Sequence, residues 1–210
     1  MPDVNIMVLV SGNGTNLQAL LDAQKNDALG PGKITTVVSD RPEVYALERA
    51  KSAGLRALIV YGEPDAPRKE LRQVISDRIL HLAEYNQIDL IVLAGFLSVL
   101  TGKIMRYYSG RIINLHPALL PKFGGEGMYG ANVHRAVLDA GEAESGCTVH
   151  LVDAGIDTGP ILLQRRVPVL PGDNPESLAE RIHKEEHIAI VEAVKIMAER
   201  LQDKGAALFL

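Results

Sequence analysis

The chain of 210 residues holds one cysteine, Cys147, which excludes an internal disulfide and a cysteine zinc cluster. Cys147 then reads as a small apolar strand residue, and so low a cysteine content fits a reducing compartment. An excess of charge is missing too. The formal net charge is -4 and the isoelectric point about 5.9, so no general basic surface exists to neutralise a nucleic-acid backbone. No apolar run is long enough to span a bilayer, and MPDVNIMVLVSG passes straight into a strand pattern without a basic leader. The expectation is a cytoplasmic protein that handles small molecules, with no nucleic-acid and no membrane partner. Internal repeats, low-complexity tracts and linkers are also absent. With 47% hydrophobic and 23% charged residues, the chain reads as one domain over 1–210 around one well-buried core.

What is present is an alternation of two periods. NIMVLVS, KITTVVSD, LRALIVY, IDLIVLAG and RIINLH are short runs rich in branched residues, which read as strands. Between them, Asn16 to Asn26, Val44 to Ser52, Pro67 to Tyr85 and Ser98 to Tyr108 each carry one apolar face at helical spacing. Right-handed crossovers make such a sheet parallel, with helices on both faces. After Asn132 the order changes to a helix over Val133 to Ala140 and two strand-like runs, CTVHLVD and PILLQRRVPV, an antiparallel extension of the sheet. A last amphipathic helix is expected from about Asn174, as N-cap, to Arg200, with Pro175 at its first position and Glu176 and Glu180 near its positive end. The tail that follows, with Leu208, Phe209 and Leu210, is apolar enough to dock on the body or on a second subunit. Gly124 to Gly130 is the one long irregular segment, of the kind that forms lids and binding loops.

Three motifs carry chemistry. Ser11-Gly12-Asn13-Gly14-Thr15-Asn16 leads from the first strand into a helix, whose free N–H groups and dipole suit an anion such as a phosphate. A plain turn capped by Thr15 or Asn13 fits the same residues. The motif matches neither the dinucleotide fingerprint nor a P-loop, whose lysine is missing. Asn114-Leu115-His116-Pro117 ends the fifth strand, and residues two apart on a strand share a face, so Asn114 and His116 aim together beyond the strand end. An amide there can stabilise an oxyanion and an imidazole can move a proton; strand-end capping is the bland alternative. In Asp153-Ala154-Gly155-Ile156-Asp157-Thr158-Gly159-Pro160 two carboxylates share a turn. Asp153 reads as an Asx-turn. His183 and His187 resemble a zinc helix only superficially, because Lys184 stands where H-E-x-x-H needs glutamate, and no metal site is expected.

Taken together, VLVSGNGTNLQALLDA, DLIVLAGFLSVL, RIINLHPALLPKF, HRAVLDAGEAESGCTVHLVD, GIDTGPILLQRRVPV and KEEHIAIVEAV resemble the glycinamide ribonucleotide formyltransferase family over nearly the whole chain. The resemblance implies an α/β, Rossmann-like formyltransferase fold with a phosphate-binding half over about 1–100 and a catalytic and folate-binding half over about 101–210. It implies that Asn114, His116 and Asp157 are catalytic. Gly14, Thr15 and Asn16 would hold the phosphate of 5-phosphoribosylglycinamide, and Glu186 its ribose. Arg68, Leu97, Ser98, Val99, Leu100 and Asn114 would contact the co-substrate 10-formyltetrahydrofolate, with no metal, in a monomer or homodimer. Two departures stand out: Ser98 occupies a position where some members carry arginine, and FGGEGMYGANV is longer than the common F-x-G-x-H form, with Met128 and Tyr129 at its tip. Methionyl-tRNA formyltransferases and formyltetrahydrofolate hydrolases share the catalytic set but are expected to carry further domains. A noncatalytic nucleotide-binding module would be expected to have lost one of Asn114, His116 and Asp157.

Overall fold

The computed structural model describes residues 3–62 and 65–207; Leu208, Phe209 and Leu210, the apolar end of the tail, lie outside the described residues. In chain order the elements are β1 (Val4–Val10), α1 (Thr15–Lys25), β2 (Gly32–Ser39), α2 (Tyr45–Ser52), β3 (Arg56–Ile59), α3 (Arg68–Tyr85) and β4 (Leu90–Leu93). Then follow α4 (Lys103–Tyr107), β5 (Ile112–His116), α5 (Ala131–Asp139), β6 (Glu144–Leu151), β7 (Ile161–Pro168) and α6 (Pro175–Ala207). The strands form one sheet in the order β3-β2-β1-β4-β5-β6-β7. Neighbours from β3 through β5 pair in parallel, while β6 and β7 are antiparallel, as the change of pattern after Asn132 leads one to expect.

Because strand side chains alternate, the sheet builds a core on each face. On one face Ile6, Val8 and Val10 of β1 pack with Leu17 and Leu20 of α1, Ala46 and Ala50 of α2, Val137 of α5 and Ile190 and Val194 of α6. On the other, Met7 and Leu9 meet Ile75 and Ile79 of α3 and Ile104 of α4. Cys147 is fully buried within the first of these cores.

Two helices differ from expectation. The helical spacing over Ser98 to Tyr108 yields helix only at Lys103–Tyr107. Its first half is held instead by distant partners: Leu97 N–H donates to Ser11 Oγ, Ser98 Oγ to Asp40, and Thr101 N–H to Ser76 Oγ. Gly102, with φ 74° and ψ -135°, then breaks the helical run. At the other end α6 passes the expected Arg200 and reaches Ala207, with Leu201 still packed on the core. Its start follows the expected cap: Ser177 N–H donates to Asn174 Oδ1 at 2.8 Å and Asn174 N–H to Ser177 Oγ at 3.1 Å, a reciprocal box ahead of Pro175.

The chain leaves β1 towards β2 and β3, then returns to the other side of β1 to lay down β4. The connections diverge there, so a crevice opens at the carboxyl ends of β1 and β4, where open α/β sheets bind ligands.

Candidate active site

Asn114 and His116 stand at the carboxyl end of β5, and the antiparallel register sets His150 of β6 directly opposite Asn114. Asp157, in the turn between β6 and β7, joins them. Asn114 Nδ2 donates to Asp157 Oδ1 at 3.3 Å and to His150 Nε2 at 3.1 Å, while Gly125 N–H donates to Asp157 Oδ2 at 3.1 Å. The loop after β5 is pinned from beneath. Thr148 Oγ1 donates to the Ala118 carbonyl at 2.6 Å and accepts from Leu120 N–H at 3.1 Å. Gln164 Nε2 ties Leu120 O and Thr148 Oγ1, both at 2.9 Å. That loop delivers the Phe123 carbonyl to His116 Nε2 at 2.8 Å. Phe123 itself has φ 56°, a left-handed conformation that costs a bulky residue about 1–2 kcal/mol.

The partners fix the protons. A carbonyl only accepts, so His116 Nε2 carries hydrogen, and Nδ1, 3.5 Å from Asp157 Oδ2, is the position that gains or gives one. Burial lowers the His116 pKa, while the Asp157 charge and the Phe123 carbonyl pull it back up and His150 adds to the lowering; the net direction is down. For Asp157 burial acts to raise the pKa, but His150, the His116 charge and the Gly125 N–H outweigh it, and the carboxyl stays below its ordinary value. A full ion pair contradicts the first shift, so the resting state at neutral pH is an ionised Asp157 beside a neutral His116. His150 Nδ1 lies 2.8 Å from Leu151 O and therefore carries hydrogen, which leaves Nε2 to accept from Asn114. The same Nε2 lies 3.5 Å from Asp157 Oδ1.

A second predicted group stands at the β1–α1 turn. Gly14 is the N-cap of α1 with φ 74°, and among the described residues no side chain caps the helix, so capping by Thr15 or Asn13 is not what the turn does. Asn16 Nδ2 donates to Glu186 Oε2 at 3.2 Å, joining the first helix to the last. Glu186 is 5% exposed; burial raises its pKa, against which the His183 charge and the Asn16 bond act. Asn16 Oδ1 is buried with no hydrogen-bond partner among the described residues. The predicted group Gly14, Thr15, Asn16 and Glu186 is thus brought together.

On the other flank Arg68, Val99 and Leu100 line a cavity of about 490 Å³, with Lys69, Arg72, Thr101, Glu126, Ala154 and Ile156. Ala154 and Ile156 belong to the Asp157 turn, so the cavity borders that turn. Leu97 and Ser98 are not in its lining. Leu97 is exposed, and Ser98 gives its hydroxyl to Asp40. Asp40, just after β2, accepts from Ser11 Oγ at 2.5 Å and from Ser98 Oγ at 2.7 Å, one bond on each carboxylate oxygen. Among the described residues no cluster of three or more His, Cys, Asp or Glu has the arrangement of a metal site, and no helix is long and apolar enough to cross a membrane.

Sequence reasoning passed over His150, the Phe123 carbonyl and the Gly125 N–H. For His150 a signal existed in CTVHLVD, where it shares strand parity with Thr148, but its partner depends on register.

An open α/β sheet with an amide, an imidazole and a carboxylate converging at a strand end has the groups that acid–base group transfer needs. The chain belongs to the formyl transferase family, whose model matches residues 4–194. It is 44% identical over 198 residues to the trifunctional purine biosynthetic protein adenosine-3 of Drosophila pseudoobscura pseudoobscura, a match that covers 94% of this chain and 14% of that protein. With the phosphoribosylglycinamide formyltransferase of Escherichia coli (strain K12) it shares 36% identity over 184 residues, 88% of this chain and 82% of that enzyme. It therefore spans a small part of the first relative and most of the second. Among solved structures, glycinamide ribonucleotide transformylase 1 from Symbiobacterium toebii matches with a TM-score of 0.83 and 39% identity, over 94% of this chain and 88% of that one.

Proposed function

We propose that this protein transfers the formyl group of 10-formyltetrahydrofolate to the amine of 5-phosphoribosylglycinamide, a step of purine synthesis. The observation that carries the reading is the convergence of Asn114, His116 and Asp157 between an uncapped helix N-terminus on one flank and a cation-lined cavity on the other. The phosphate sits on the N–H groups of Gly14, Thr15 and Asn16, and the ribose hydroxyls meet Glu186 and the unpartnered Asn16 Oδ1. The cavity suits the donor chemically: Val99, Leu100 and Ile156 offer apolar surface to a ring, and Arg68, Lys69 and Arg72 offer cations to carboxylates. Both flanks draw on both halves of the sequence, so we read 1–210 as one working unit, cytoplasmic and acting on small molecules.

The acceptor amine attacks the formyl carbon and forms the new C–N bond. Asn114 Nδ2–H and the His116 N–H stabilise the oxyanion that develops, which requires substrate oxygen to replace the Phe123 carbonyl and Asp157 as their acceptors. As the substrates bind, His116 takes up a solvent proton at Nδ1; Asp157 steadies that imidazolium and holds the water that carries the amine proton to the leaving folate nitrogen as the old C–N bond breaks. No covalent enzyme intermediate is required. The loop over 123–133, with Met128 and the exposed Tyr129, covers the substrates. The test is a spectrophotometric assay of donor turnover with glycinamide ribonucleotide, charged initiator tRNA or water as acceptor. Turnover with the ribonucleotide alone, abolished in His116→Ala, supports the reading. Turnover with water alone makes the protein a hydrolase, and none at all makes it a binding module.

A further inference from the structure

We infer that Asp40, Ser11 and Ser98 form a clamp that sets the spacing of the two loops on either side of the crevice, and that Ser98 is thereby a positioning residue for the donor side. The roles of those loops rest on the proposed function; the clamp itself does not. Ser11 Oγ, at the end of β1, donates to Asp40 Oδ1 at 2.5 Å and accepts from Leu97 N–H at 2.8 Å. Ser98 Oγ donates to Asp40 Oδ2 at 2.7 Å, and Ser11 N–H donates to Gly95 O at 3.1 Å. One carboxylate at the end of β2 thus joins the turn that begins the anion site to the segment that carries Val99 and Leu100 into the cavity.

Burial alone does not hold that segment at its exposed point, since Leu97 is 44% exposed while Ser11 beneath it is 6% exposed. Charge-assisted hydrogen bonds are the strong kind, and here both carboxylate oxygens receive one. Where the family resemblance leads one to expect an arginine in some members, this chain has a short hydroxyl that ties the loop inward to Asp40. The two bonds divide the labour. Losing Ser98 Oγ releases the donor loop alone, whereas losing the Asp40 carboxylate releases Ser11 and Ser98 together.

The test compares Ser98→Ala, Ser98→Thr and Asp40→Ala with the wild type by amide hydrogen exchange over residues 95–101 and by the KM for each substrate. Loss of one charge-assisted bond at a partly exposed site is expected to speed exchange at the Leu97 amide about threefold to tenfold in Ser98→Ala. Asp40→Ala speeds it further, and Ser98→Thr, which keeps the hydroxyl, restores protection. In the same series Ser98→Ala raises the donor KM about threefold to tenfold and leaves the acceptor KM unchanged, while Asp40→Ala raises both. Unchanged exchange in Ser98→Ala and Asp40→Ala, or an equal rise of both KM values in Ser98→Ala, overturns the clamp. Should Asp40→Ala not fold, Ser98→Ala against Ser98→Thr decides alone. A wild type that transfers no formyl group removes the proposed function, and the exchange data still decide the clamp.

Discussion

Gly14→Ala tests the anion turn through its own geometry. Gly14 has φ 74°, and a Cβ placed on it lies 2.6 Å from Ala46 Cβ and 2.9 Å from Ala46 Cα. Neither neighbour can retreat easily: Ala46 is fully buried, and its N–H donates to Gly12 O at 3.2 Å. The left-handed backbone costs an alanine about 1–2 kcal/mol, and overpacking against a fixed wall adds about 1–3 kcal/mol. The expected loss is therefore about 2–5 kcal/mol, or a fall in Tm of roughly 5–20 °C for a chain of this size. Urea and thermal melts measure it. Adding Ala46→Gly removes the clash with the Ala46 methyl group but leaves the crowding against the α2 backbone and the left-handed strain, so the double variant recovers part of the overpacking share and no more. In the kinetic assay the displaced turn raises the acceptor KM and spares the donor KM. A Gly14→Ala protein within about 0.5 kcal/mol of wild type, the scatter of ordinary surface changes, would refute the packing argument. A donor KM that rises in place of the acceptor KM would refute the assignment of the turn.

Asn114→Ala is expected to lower kcat about 100- to 1,000-fold in a protein that still folds, and near wild-type turnover removes Asn114 from the mechanism. Asp157→Asn leaves burial to act on His116 with less opposition. By NMR titration the His116 midpoint, below 6.5 in the wild type, should fall further; a rise contradicts the charge assignment. Turnover should drop more than substrate affinity in the same variant. His134, buried on α5, has its pKa pushed down to about 4 by burial first and then by the charges of His183 and His116. Because the folded value lies below the unfolded one, the unfolded chain binds the extra proton between about 4 and 6.5. Stability therefore rises with pH across that window and is lost as pH falls through it, by at most about 3 kcal/mol. His134→Gln flattens that slope in Tm against pH, and an unchanged slope shows that another group sets it.

The alternation of strands and helices was legible because period two and period 3.6 are written in neighbouring residues, as was the cap at Asn174 and Pro175. Asn114 and His116 were legible as a pair for the same reason: two residues apart on a strand, they share a face. The helix expected over Ser98 to Tyr108 shows where that logic ends. Its spacing is helical, yet Ser11, Asp40 and Ser76 supply hydrogen bonds to residues 97, 98 and 101, and these distant partners override local propensity. Ser98 gives its hydroxyl to Asp40 through one of these bonds, a partner 58 positions away.

By itself the amino-acid sequence determined the α/β class, the antiparallel change after Asn132, and the residue types that gather at strand ends, since each depends on periods and caps a few residues long. Only the tertiary structure decided that His150 faces Asn114, that the Phe123 carbonyl holds His116, and that Glu186 reaches Asn16. Those contacts join residues 36, 7 and 170 positions apart. Register, a left-handed loop residue and the docking of the last helix on the first create them, and each is set by packing between elements that no local period encodes.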